Sequence, residues 1–94
     1  MVDRDDLLHR CGCAEAASSV VTQDTAQAFG RLVRAELATY MQGLEKQALG
    51  RNDLLGCITV VTQYSEQFPV EENTWICAQR DAVLAALHGA LQEC

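Results

Sequence analysis

Apolar positions recur along this 94-residue chain at helical spacing and divide it into four segments. In the clearest, Ala26, Phe29, Val33, Leu37, Tyr40, Leu44 and Ala48 follow one another at intervals of three or four. Such a stripe, about 100° wide, lies along one side of an α-helix. Gln27, Arg31, Arg34, Gln42, Glu45 and Lys46 fill the opposite side. Asp24, with Gln27 three residues later, has the form of a capping box. Gly50, followed by Arg51-Asn52-Asp53, reads as a stop. The predicted helix of about 26 residues would be roughly 39 Å long and would form the spine of the domain.

The first segment runs from about Asp5 to Ser19, with Leu7, Leu8, Cys11, Ala14, Ser18 and Val21 on one side. Asp3, Asp5 and Asp6 stand at its start, where the helix dipole favours negative charge, and Gly12 falls on the outer face. The third runs from about Leu54 to Phe68 and is capped by Asn52 or Asp53. Leu54, Cys57, Ile58, Val61, Tyr64 and Phe68 share one face; Thr59, Thr62, Gln63 and Glu66 share the other. Here the β-branched run Ile58–Thr62 has strand propensity, so 57–64 could be helix or strand; length and capping favour helix. Pro69 closes this segment, and Glu71 and Glu72 begin a fourth that runs to about Gln92. The tetrapeptide Val-Val-Thr-Gln occurs at both 20–23 and 60–63, but the flanking residues differ and chance accounts for it.

The fourth helix is apolar on two sides. Ile76, Val83, Leu87, Ala90 and Leu91 form a bulky stripe with Cys94 at its end. About 140° away, Ala78, Ala82, Ala85 and Gly89 form a strip of small residues, with Trp75 at its leading edge. A helix apolar on two sides is buried on two sides, either within its own bundle or partly against a partner. On the second reading Trp75, Ala78, Ala82, Ala85 and Gly89 form the contact, and Trp75 is its anchor.

These segments predict one all-α domain over residues 1–94. Its expected form is a bundle of four antiparallel helices with long second and fourth members and connections near 20–23, 50–53 and 69–70. The layout is also similar to that of the histone fold: a short helix, a long central one, a shorter third and an extra C-terminal helix. That resemblance rests on lengths and implies an obligate partner. The third segment is long for it, and basic DNA-contacting residues are absent.

Composition agrees with a helical domain. Hydrophobic residues make up 49% of the chain and thirteen residues are alanine, which favours helix but adds little buried area per residue. The formal net charge is −6, distributed as −3 over residues 1–24, +1 over 25–50, −1 over 51–68 and −3 over 69–94. No basic patch is present to neutralise phosphates or an anionic membrane, so neither nucleic acid nor membrane is an expected partner. The start MVDRDDLLHR is charged where a secretory signal needs an apolar core, and an intracellular, cytoplasmic location is expected.

Five cysteines is an odd number for a disulfide framework, and free thiols acting as small apolar side chains are expected. His9, Cys11 and Cys13 are the one cluster resembling a metal-ligand or thiol-redox set. On a helix, however, Cys11 and Cys13 point about 200° apart and His9 lies away from Cys11. No metal or other cofactor is therefore predicted. His9 and His88 have no catalytic motif around them, serine occurs only at 18, 19 and 65, and no phosphate-binding loop is present. The expectation is a non-enzymatic helical interaction module (a small subunit, adaptor or chaperone-like protein) that binds another protein or a second copy of itself. In size, acidity and lack of catalytic groups the chain is similar to small acidic secretion chaperones. The alternative is a metal or thiol-redox module centred on His9, Cys11 and Cys13.

Overall fold

The first residues of the chain pair with its middle. A computed structural model of the protein describes residues 1–18, 24–67 and 74–94, with side chains described at 1–16, 28–67 and 76–94. Val2–Asp3 (β1) lies antiparallel to Ala48–Leu49 (β2), with Val2 opposite Leu49 and Asp3 opposite Ala48. Four helices complete the fold: Arg4–Ser18 (α1), Asp24–Gly43 (α2), Arg51–Ser65 (α3) and Thr74–Gln92 (α4). They form an all-α four-helix bundle, as the periodicity predicts.

The two-residue ladder follows from how α2 ends. The apolar stripe predicts a helix running on to Gly50, yet α2 stops at Gly43. Glycine is about 1 kcal/mol poorer than alanine in a helix. Beyond it the backbone tightens: Leu44 N–H donates to Met41 O (3.2 Å) and Glu45 N–H to Gln42 O (3.1 Å). Glu45 then takes the left-handed conformation at φ 56°, which a helix cannot continue through. The turn delivers Leu49 to the core, fully buried, and leaves Ala48 exposed. Met41 is buried in the place expected of Tyr40 and Leu44, which are only partly covered. The connection expected at 50–53 therefore lies at 44–50. The expected connections at 20–23 and 69–70, and the caps at Asp24, Gln27, Glu71 and Glu72, lie outside the described residues or side chains.

Asp3 caps α1 by accepting hydrogen bonds from the N–H groups of Asp5 and Asp6, each at 3.1 Å. Gln47 Nε2 donates to Asp3 Oδ1 (2.9 Å) and Asp5 Oδ2 (3.0 Å), joining the cap to the segment that carries β2. These bonds, that from Gln47 foremost, hold the Asp3 carboxyl below its ordinary value. At the start of α3 the cap is Gly50 rather than Asn52 or Asp53. Asp53 instead supplies the returning half of a capping box, its Oδ2 accepting from Gly50 N–H at 2.9 Å. The same oxygen lies 3.0 Å from Lys46 Nζ. The β-branched run of α3 is helical, with Thr59 and Thr62 donating their hydroxyls to Leu55 O (3.0 Å) and Ile58 O (2.8 Å).

The core gathers Leu7 and Cys11 of α1 with Phe29, Val33, Leu37 and Met41 of α2. Leu54, Cys57 and Val61 of α3, Ile76, Val83, Leu87 and Ala90 of α4, and Val2 and Leu49 complete it. α1 and α4 run in opposite directions: Arg10 meets Glu93, while Glu15 meets Gln79. Beside that lower contact α2 contributes Gly30, and three helices converge there. A Cβ built on Gly30 would fall 2.1 Å from Gln79 Oε1 and 2.6 Å from Glu15 Cγ. Glu15 and Gln79 are both buried, Gln79 Nε2 reaches Glu15 O at 3.5 Å, and Arg34 Nη1 lies 3.7 Å from Glu15 Oε2. Gly12, expected on the outer face, is half-buried beside Arg34, 3.4 Å from its Nη1 when a Cβ is added.

Gly30→Ala should destabilise the fold by about 1–2 kcal/mol net, because overpacking exceeds the gain in helix propensity. Urea denaturation measures this; an unchanged midpoint would show that Glu15 and Gln79 yield freely. Asp53→Asn should cost about 0.5–1 kcal/mol near neutral pH, allowing for screening of a solvent-facing pair. The hydrogen bond from Gly50 and then Lys46 hold the Asp53 carboxyl below its ordinary value. Its contribution is therefore complete above the unfolded pKa and is lost as pH falls through the folded one. Wild type and variant should converge once the pH falls below the lowered folded-state pKa of Asp53, in acid titrations followed by circular dichroism.

Candidate interaction surface

α4 turns its two apolar faces in the two directions available to it. Ile76, Val83, Leu87 and Ala90 point into the bundle and are buried; Leu91 is half-buried and Cys94 exposed. On the outer side Ala78, Ala85 and Gly89 are exposed and Ala82 is partly covered. A Cβ placed on Gly89 meets no atom within 4 Å. The side chain of Trp75, the second residue of α4, lies outside those described. The strip of small residues is thus solvent-facing at three of its four positions, although α4 packs against each of the other three helices.

Spacing adds to exposure. Positions 78, 82, 85 and 89 are separated by four, three and four residues, which is the a/d spacing of a two-helix seam. Trp75 and Gln92 continue that spacing at either end. Asp81 and His88, both exposed, border the strip along one edge. Arg80 leans away from it: its Nε donates to Asp81 Oδ1 (3.0 Å) and its Nη2 to Cys77 Sγ (3.3 Å). Leu32 and Leu55, the exposed leucines at 46% and 43%, belong to α2 and α3 rather than to α4.

The cysteines divide between core and solvent. Cys11 and Cys57 are buried; burial pushes the first thiol up to about 12, with Cys57 nearby adding to the effect, and the second up to about 11. Cys13 and Cys94 are exposed and Cys77 is half-buried. The fold therefore does not bring His9, Cys11 and Cys13 together. It separates Cys11 from Cys13 and places His9 against Cys13, Nε2 to Sγ at 3.5 Å. The spacing of four between His9 and Cys13 is the signal for this pair; comparing only the two cysteines conceals it. Among the described residues no group of three or more His, Cys, Asp and Glu side chains is arranged to hold a metal ion.

Comparison with protein-family models, curated proteins and solved structures finds no match to this chain. Among the described residues no helix is long and apolar enough to cross a membrane.

Gly89→Ala should stabilise the isolated chain by about 0.5–1 kcal/mol, since the added methyl meets nothing and helix propensity improves. Thermal unfolding in dilute solution checks this; a lower melting temperature would mean that the Gly89 face is covered in the isolated chain.

Proposed function

We propose that the protein is a non-enzymatic helical interaction module whose working surface is the outer face of α4. The single observation behind this reading is an exposed strip of small residues at a/d spacing on a helix whose bulky stripe is already buried. Small side chains let two helix backbones approach closely and so gain many dispersion contacts over a short length.

The strip is also self-complementary. In an antiparallel pair about a two-fold axis, Ala78 would face Gly89 of the second copy and Ala82 would face Ala85, an isologous contact. This makes a second copy the first occupant to test and gives the module the character of a subunit or adaptor. One seam of small residues is modest beside the roughly 1,200–2,000 Å² of a stable interface, so the association is expected to be reversible and concentration-dependent.

Ala85→Glu places two carboxylates across the proposed axis without touching the bundle's interior. Sedimentation velocity over a range of concentrations should show wild-type mass rising above that of a monomer. The variant should remain monomeric with unchanged helicity by circular dichroism. A wild-type chain that stays monomeric at every concentration would overturn self-association, and equal association by the variant would move the contact away from this strip.

A further inference from the structure

We propose that His9 and Cys13 form a two-donor site for a soft or borderline divalent metal ion, such as Zn²⁺ or Cd²⁺, on the solvent face of α1. A spacing of four residues sets both side chains on one face of the helix, one turn apart. Both are exposed, and Cys13 Sγ lies 3.5 Å from His9 Nε2.

That separation matches what tetrahedral zinc requires. Bonds of about 2.3 Å to sulfur and 2.0–2.1 Å to nitrogen, at a tetrahedral angle, put the two donor atoms roughly 3.5–3.6 Å apart. The ion would bind with the backbone of α1 as it stands, so little ordering free energy opposes it. A thiolate and an imidazole also set the selectivity, because this donor set suits Zn²⁺ and Cd²⁺ and does not suit Mg²⁺ or Ca²⁺.

The charges around the pair allow a cation. Arg10, the adjacent cation, is turned away: its Nε lies 2.9 Å from Asp6 Oδ2, and its Nη1 and Nη2 donate to Glu93. Arg34, near Gly12, faces Glu15. Asp5, one turn ahead of His9, is exposed and accepts from Gln47.

The binding step is balanced by one proton. Cys13 releases its thiol proton to solvent as the Sγ–metal bond forms, while His9, protonated on Nδ1, donates the Nε2 lone pair. Four waters leave the six-coordinate aqua ion as it becomes tetrahedral and two stay to complete its shell, since no third protein donor stands with the pair among the described residues.

The test uses the untagged full chain, kept reduced, titrated with Cd²⁺ by ultraviolet thiolate-to-metal charge transfer and with Zn²⁺ by calorimetry. Wild type should bind no more than one ion per chain at this site. Changing a residue that merely supports a ligand typically weakens binding by about 10–100-fold. Removing a donor should cost at least that, so Cys13→Ser should abolish the charge-transfer band and His9→Gln should weaken binding by about tenfold or more. Both positions are exposed, so circular dichroism should show intact folds, and Cys94→Ser, altering the other exposed thiol, should bind as wild type does. Absence of binding to wild type, an undiminished band in Cys13→Ser, or wild-type affinity in His9→Gln would each overturn the site.

Discussion

The close approach of α1, α2 and α4 at Gly30 is the constraint on which the rest of the bundle depends. Glu15 and Gln79 are buried at this junction, and buried polar groups are tolerated only where hydrogen bonds replace water. At this junction the helices come together more closely than a side chain at position 30 would permit. Once they do, the rotation of α4 about its own axis is settled. Gln79 points inward, and with it Ile76, Val83 and Leu87, leaving Ala78, Ala85 and Gly89 outside. An outward-facing strip of small residues is thus linked to a polar contact about a quarter-turn around the same helix.

Most of the helical architecture was legible from apolar spacing, because that signal is repeated many times along each segment. α1, α3 and α4 lie close to where it puts them, with the bulky stripe of α4 inside and its small-residue strip mostly exposed rather than covered within the bundle. The end of α2 was not legible. Leu44 and Ala48 continue the stripe, while the decision to leave the helix rests on Gly43, a left-handed Glu45 and pairing of Ala48–Leu49 with Val2–Asp3. That pairing joins residues 47 and 45 positions apart, and no periodicity within a single segment reports on it.

Buried polar residues were hidden for the converse reason. Glu15 and Gln79 break the hydrophobic pattern, although helical phase sets them with Leu7 and Cys11 and with Ile76 and Val83 on the faces that the bundle buries. The same limit applies at the cysteines. Neighbours in sequence draw the eye to Cys11 and Cys13, whereas helical phase buries one in the core and pairs the other with His9. Trp75, prominent in sequence, has its side chain outside the described residues, so the strip is defined structurally by its alanines and glycine alone.

Arg10 and Glu93 join α1 to α4 across a sequence separation of 83 residues, whereas Tyr40 meets Gly56 after only a short excursion through the turn. Loop-closure entropy grows logarithmically with length, so closing the longer loop costs about 1.5 kcal/mol more. This difference favours an order of assembly in which α2 and α3 dock early and α1 meets α4 last. Both proposed surfaces lie on those late-docking helices. A metal ion held on α1, or a second copy held on α4, would each favour the folded form of the helix that carries it, without bridging the contact between the two.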